Sequence, residues 1–341
     1  MKDLYSLLKV FGRIKSRRIK YCGILTFHLL RRRYLGLFLD PVKICNLKCR
    51  MCYFSGEEGK HPNRNKMSIE EYRQIAKAIF HRLLKLQIGC GAEPTMYKDL
   101  PELVRIGKEF HVPYISLTTN GNLLMEDKLE ELAAAGLDEL TLSTHGLRRE
   151  TYEFLMQNAK FDKFTRLLAD FRSVHTKYPQ LRLRINYTVN EDNIEELADF
   201  PKIFDGVPVS ILQVRPVQDL GDSEYKNFSM TKILRLYDNV FPMLQKYCEE
   251  HEITFMFPTK ENISILEKDT AHTTEDIMDY LHIYAYPGHL HHDDFKYQCE
   301  TFDQYCKRTG YLRTLLRDIV SFKKRQGADL RTKPLNYNIK N

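Results

Sequence analysis

The sequence has no run of about 18 consecutive apolar residues, the length that a membrane-crossing helix needs. Its opening stretch, MKDLYSLLKVFGRIKSRRIKYCGILTFHLL, lacks the compact apolar segment and small-residue cleavage site of a secretory signal, because Lys and Arg interrupt it throughout. There is no low-complexity tract and no internal repeat longer than a strand–helix unit. Cysteine is too sparse, and the chain too long, for a disulfide scaffold: eight cysteines lie at 22, 45, 49, 52, 90, 248, 299 and 306. These absences point to a cytoplasmic protein that rests at most peripherally against the inner face of the membrane. The 341 residues are 43% hydrophobic and 28% charged, an ordinary globular composition with length for one large domain or two smaller ones.

Acidic residues are scarce at the two ends. Residues 1–36 carry ten Lys or Arg against Asp3, and residues 311–341 carry eight against Asp318 and Asp329. The net charge of +7 therefore sits at the termini. A solvated face accounts for such ends as well as contact with anionic lipid, a negatively charged substrate or nucleic acid does.

Between the ends, β-rich runs alternate with helical patterns. The runs are LFLDPVKI (37–44), KLQIGC (85–90), YISLTT (114–119), ELTLST (139–144), LRLRINYTV (181–189) and PVSILQVR (208–215). The first helical pattern opens with Ser68 and Glu71 in capping-box spacing. Six strand–helix units in succession imply parallel strands joined by right-handed crossovers. The expected fold is α/β: a partial (β/α)6 barrel over residues 37–215, a basic amphipathic helical extension over 1–36, and a smaller α+β region over 216–341. That last region offers a helix around 230–250, a strand EITFMF, an aromatic and His-rich loop, and a basic helix near 309–326.

In α/β barrels the reacting groups sit on loops after the strand C-termini. Here GCGAEP (89–94) follows the second run, TTNG (118–121) the third and STHG (143–146) the fourth. Arg184 and Asn186 share one face of the fifth strand, and Gln213 and Arg215 one face of the sixth. The first run leads into Cys45, Cys49 and Cys52, spaced C-x3-C-x2-C. Zinc prefers four ligands in a closed tetrahedron, usually as two pairs, and no second pair follows at the usual distance. An iron–sulfur cube with three protein thiolates leaves one iron open, and an open metal position marks a catalytic site. Taken singly, Glu93 reads as a turn cap, Ser143 as a strand end and Arg184 as a strand residue alternating with leucines. Their gathering on successive loops is what carries weight.

CNLKCRMC followed by a Gly-Ala-Glu-Pro turn after the next strand resembles the radical S-adenosylmethionine (radical SAM) superfamily over roughly residues 37–215. The resemblance implies an enzyme whose [4Fe–4S] cluster is held by Cys45, Cys49 and Cys52, with SAM on the remaining iron. Reductive cleavage of SAM then yields a 5′-deoxyadenosyl radical that abstracts hydrogen from substrate, with flavodoxin or ferredoxin as electron donor. Gly91, Ala92, Glu93 and Pro94 match the turn that holds the SAM amino group, Ala92 replacing the family's second glycine. Thr119 and Asn120 lie where the third strand approaches SAM. Ser143 matches the ribose contact, with His145 where an Asp is frequent. Arg184 matches the basic residue that pairs with the SAM carboxylate, and Val214 lies on the strand that packs adenine. Met51 stands where an aromatic often precedes the third cysteine. His145, Gln213 and Arg215 are the residues expected to meet substrate.

Many members carry further clusters in a dense cysteine motif, which Cys248, Cys299 and Cys306 do not match. One cluster is therefore expected, with His289, His291 and His292 as the alternative extra ligands. PGHLHHDD reads as a solvated loop ahead of a divalent-metal site. A metal-binding module for nucleic acid or membrane needs no Gly-Ala-Glu-Pro turn, so an enzyme is expected and a nucleic-acid partner is not. Similarity to peptide maturases puts a peptide or protein substrate first. A small molecule or lipid-linked glycan precursor comes second.

Overall fold

A computed structural model describes residues 14, 16–55, 66–218, 223–225, 228–267, 277–290 and 294–321. The strands are β1 (Leu35–Leu39), β2 (Lys48–Cys49), β3 (Leu83–Ile88), β4 (Tyr114–Thr119), β5 (Glu139–Thr144), β6 (Met156–Gln157), β7 (Arg182–Val189), β8 (Val209–Pro216), β9 (Thr254–Met256), β10 (His282–Tyr286) and β11 (His289–Leu290). The main helices are α1 (Arg17–Leu29), α2 (Ile69–Ile79), α3 (Leu100–Glu109), α4 (Glu126–Ala134), α5 (Arg149–Leu155), α6 (Phe161–Lys177), α7 (Thr231–Glu250), α8 (Phe302–Thr309) and α9 (Tyr311–Val320).

One nine-stranded sheet runs in the order β11-β10-β1-β3-β4-β5-β7-β8-β9, and all of it except β11 is parallel. The parallel α/β architecture expected from the alternation is therefore present, as an open, barrel-like sheet whose outermost strands do not pair with each other. The region after residue 216 adds to this sheet at both edges. β9, the expected EITFMF strand, pairs with β8, while β10 pairs with β1 at the far side. Phe255 and Phe257 stack with Phe241 of α7, which anchors the β9 edge. β10 went unread in the sequence because HIYAY borders the His-rich loop and its alternation has meaning only beside β1.

Parallel strands covered by helices on one face put apolar side chains on that face. Leu86, Ile88, Ile115, Leu117, Leu140, Leu142, Leu183, Ile185 and Leu212 form it, all buried. Each such side chain contributes about 1.5–3 kcal/mol by leaving water. Helix α3 approaches closely because Gly107 has no side chain; a Cβ there would lie 2.6 Å from Ile115 Cδ1. Ser68 caps α2 by accepting from Glu71 N at 3.0 Å. The Glu71 carboxylate instead accepts from Gly288 N at 2.6 Å and Tyr297 Oη at 3.2 Å, so the capping box expected there is only half formed. A complete box forms at Thr301 and Gln304, the start of α8.

Helix α1 packs against α9 through a ring cluster: Tyr21 with Tyr280 at 5.5 Å, Tyr280 with Tyr311 at 5.4 Å and His28 with Tyr311 at 4.9 Å. Among the described residues no helix is long and apolar enough to cross a membrane. Cys248 is buried in α7 beside β9, whereas Cys306 is buried in α8 near Tyr34 and Arg82 by the opposite edge of the sheet. Those two cysteines therefore cannot share one cluster. His289 stacks on Tyr286, with ring centroids 4.6 Å apart. His291 and His292 lie outside the described residues, as do residues 1–13 and the end of the basic helix expected beyond 321.

Candidate active site

The inner face of the sheet is polar. Register places Gln87 beside Ser116, Ser116 beside Glu139, Thr118 beside Thr141, Thr141 beside Arg184, Ser143 beside Asn186 and Asn186 beside Gln213. Paired residues on neighbouring strands share a face, so these side chains line one lumen. Arg184 donates through Nε to Asn186 Oδ1 at 3.0 Å and through Nη2 to Gln213 Oε1, and lies 4.0 Å from Glu139 Oε1. Arg215 donates to the same Gln213 oxygen at 2.6 Å. Glu139 also accepts from Tyr114 Oη at 2.8 Å and Thr141 Oγ1 at 3.0 Å. The structure thus joins Arg184 to Gln213 and Arg215 in one buried network. Lys85 belongs to the same face, its ammonium 5.7 Å from the Tyr114 ring centroid. Burial pushes its pKa down to about 8, against the pull of Glu139.

Val214 does not belong to this lumen. It pairs with Tyr187 and alternates with Gln213 and Arg215, so its side chain lies on the helix-covered face, buried. Only the backbone of β8 at that position remains to meet an adenine.

At the C-terminal rim, two carboxylates tie the loops together. Asp40, directly after β1, accepts from the N–H groups of Cys90 at 2.7 Å, Gly91 at 2.9 Å and Ala92 at 3.4 Å, and from the Tyr284 hydroxyl. Glu93 accepts from Thr119 Oγ1 and Thr95 Oγ1, both at 2.6 Å, from Asn120 N at 2.9 Å and from Thr95 N at 3.1 Å. Its own N–H donates to Ile44 O at 3.0 Å. Burial raises the pKa of both carboxyls, and the hydrogen bonds they accept oppose that rise. Pro94 is buried and opens a short turn of 3-10 helix.

The cysteine segment leans on the same frame. Asn120 Nδ2 donates to Asn46 Oδ1 at 2.9 Å, and β2 pairs antiparallel with β6. Cys45 Sγ accepts from Leu47 N at 3.4 Å, and Cys52 N donates to Cys49 O at 3.0 Å. Tyr53 lies over the Gly91 turn: a Cβ built on Gly91 would sit 2.4 Å from its hydroxyl. Met51 turns inward, buried, its sulfur accepting from Asn190 Nδ2 at 3.3 Å. It therefore does not stand open to cover a base.

Ser143 is half-buried on the inner face. One residue beyond β5 is His145, whose buried Nδ1 meets no hydrogen-bond partner among the described residues. Burial lowers its pKa to about 4, so it is a neutral imidazole near pH 7. Asp40, Asn46, Lys85, Glu139 and Tyr284 were missed in the sequence. For Lys85 and Glu139 the signal was there, since both continue the polar alternation of KLQ and ELTLS; Asp40 fell inside the run LFLDPVKI, whereas the strand ends at Leu39.

Comparison with known proteins agrees with this geometry. Residues 39–202 match the family model described as the Radical SAM superfamily. A probable GTP 3′,8-cyclase of Saccharolobus islandicus is 29% identical over 211 residues, 61% of this chain and 66% of that protein. One from Archaeoglobus fulgidus is 31% identical over 203 residues, 59% of this chain and 67% of that protein. The chain thus spans just under two thirds of the first of these relatives. Among solved structures, Streptococcus suis SuiB bound to S-adenosylmethionine superposes with a TM-score of 0.57 at 19% identity, covering 74% of this chain and 58% of SuiB. Native anSMEcpe with bound AdoMet and Cp18Cys peptide gives 0.54 at 16% identity, covering 88% and 94%. The structural likenesses show a shared fold. The family match and the sequence relatives establish that the chain belongs to the radical SAM superfamily.

Proposed function

We propose that Cys45, Cys49 and Cys52 hold the cluster, that the loops after β3, β4 and β5 hold SAM, and that hydrogen is taken from a small anionic substrate in the lumen. The donor set suits the cluster. Burial holds the three thiols in the neutral form, Cys45 being pushed up to about 12 and Cys49 raised further by its thiol neighbours. Soft iron cations turn such a set into ligands. Among the described residues no three such donors converge on one point, as a single zinc ion would need. When bound, the cluster supplies the electron that cleaves SAM and starts hydrogen abstraction.

The chain's own residues then divide the work. Asp40 engages the N–H groups of Cys90, Gly91 and Ala92, so the turn offers an incoming amine its carbonyl oxygens. Glu93, Thr119 and Asn120 act as positioning residues, because their polar atoms are spent on holding that turn against the cysteine segment. Ser143 offers a hydroxyl to the ribose. Arg184, held by Asn186 and Gln213, offers a fork-shaped donor to the SAM carboxylate. His145 acts as an uncharged hydrogen-bonding group at the rim.

The observation that carries the substrate class is the lumen, where Lys85, Arg184 and Arg215 gather around the carboxylate of Glu139. Buried cations favour an anionic ligand group. The archaeal relatives, named for a GTP cyclisation, fit this reading, and it moves a small molecule ahead of a peptide. The peptide reading stays second, since the SuiB fold has also been solved with its precursor peptide SuiA. Anaerobic reconstitution tests the chemistry: roughly four irons per chain and dithionite-dependent 5′-deoxyadenosine release are expected. Retention of that release by Cys49→Ala would disprove it. For the substrate, nucleoside triphosphates should stimulate SAM cleavage more than their nucleosides do, and Lys85→Met should abolish the difference. Stimulation by a peptide alone would favour the second reading.

A further inference from the structure

We propose that the outward faces of α1 and α9 dock on an anionic lipid bilayer. Independently of the substrate, this surface is the part of the described molecule whose chemistry the fold leaves unexplained. Helix α1 buries Tyr21, Ile24 and His28 on one side, against the ring cluster that includes Tyr280 and Tyr311. At 100° per residue, Ile19 lies opposite that side and Phe27 on its flank, followed by Leu30 just past the end of the helix. These are 58%, 50% and 64% exposed, and the neighbouring Leu29 is 60% exposed. An ordinary surface helix has one apolar side; this one has two.

Helix α9, packed beside it, repeats the pattern. Its core side holds Leu315 and Asp318, while Leu316 and Val320 point outward at 50% and 69% exposure. Cations accompany the apolar groups on both helices: Arg18, Arg31, Arg32, Arg313 and Arg317 are all exposed. No acidic residue occurs anywhere from 14 to 39. The acid of α9, Asp318, is buried, accepts from Tyr280 Oη at 2.6 Å and lies 3.8 Å from Arg317 Nε.

Exposed bulky aliphatic and aromatic side chains interleaved with arginine fit one kind of surface well. The apolar groups enter the acyl boundary while the cations stay at the anionic headgroups. Nucleic acid would take the cations but leave the leucines in water. The charge continues along the sequence outside the helices, with Lys2, Lys9 and Arg13 before α1 and Lys323, Lys324 and Arg325 after α9.

The test is co-sedimentation of the intact chain with vesicles of phosphatidylcholine, with and without phosphatidylglycerol. Binding is expected only to the anionic vesicles and should weaken with salt. The double variant Phe27→Glu, Leu30→Glu should bind roughly tenfold less or weaker still, since two apolar groups would carry charge into the boundary. Arg31→Ser and Arg32→Ser should each cost roughly fivefold. All these side chains are exposed, so circular dichroism and iron content should match the parent. Failure of the parent to pellet with anionic vesicles at low salt would overturn the proposal. So would unchanged binding by the double glutamate variant, or binding of duplex oligonucleotide in place of vesicles. A dimer that becomes monomeric in that variant, without vesicle binding, would assign the face to a second copy instead.

Discussion

Gly91→Ala isolates the fit between the cysteine segment and the turn after β3. Gly91 does not adopt a left-handed backbone, so alanine is conformationally allowed and any penalty is steric. The new methyl would lie 2.4 Å from the Tyr53 hydroxyl, 3.3 Å from Asp40 Oδ2 and 3.6 Å from Tyr53 Cζ. Forcing that contact open should cost roughly 1–3 kcal/mol, the usual range for overpacking a filled site. Removing the hydroxyl with Tyr53→Phe leaves the 3.3 and 3.6 Å contacts, which need little or no movement. The alanine should then cost less than about 1 kcal/mol, giving a coupling of about 1–2 kcal/mol across the double-mutant cycle. Urea unfolding of the four apo chains measures the coupling. SAM binding to the four reconstituted chains should follow it, weakening in Gly91→Ala and recovering in the double variant. Equal alanine costs in the two backgrounds, within about 0.5 kcal/mol, would refute the contact between Tyr53 and the turn.

Glu93→Gln should lower unfolding stability by roughly 1–3 kcal/mol, because all four partners of the carboxylate are donors and the amide NH2 must face at least one of them; an unshifted urea midpoint would contradict it. His145→Asn should change the acid limb of stability. The folded pKa of His145, about 4, lies below the ordinary 6.5, so its contribution is complete above pH 6.5 and lost as pH falls through about 4. The parent-minus-variant stability difference should fall by about 3 kcal/mol over that window, and a flat difference would rule out burial of the ring.

The outward half of the candidate site was readable because its residues are chemically unusual in their places. Three cysteines in one turn, and an acidic turn after the next strand, announce themselves without neighbours. Asp40 did not, because it lay inside a run read as one strand, and three of its partners are backbone N–H groups that leave no trace in residue type. Lys85 and Glu139 were hidden differently. Polar alternation in a strand is usually solvent-facing, and here it faces a lumen, a distinction that only the curvature of the whole sheet settles. Val214 shows the reverse error: the strand was placed correctly, but its period of two puts that side chain under the helices. β10 escaped because only a single helical turn, Met278–Leu281, leads into it, too short to show the strand–helix rhythm, and it pairs with a strand from the opposite end of the chain.

That last pairing has a consequence for how the molecule is made. Tyr284 and Asp40 are 244 positions apart, and β1 has no neighbour on one side until β10 arrives. A ribosome delivers the cysteine segment and the turns it leans on long before it delivers their final tie. Through most of synthesis the β1 edge is an open row of unpaired backbone groups, a template for strands of other chains. Long-range closure of this kind slows folding. The step that covers the β1 edge also brings the Tyr284 hydroxyl to Asp40, so a nascent chain completes the frame of the candidate site at the moment when that edge is no longer open.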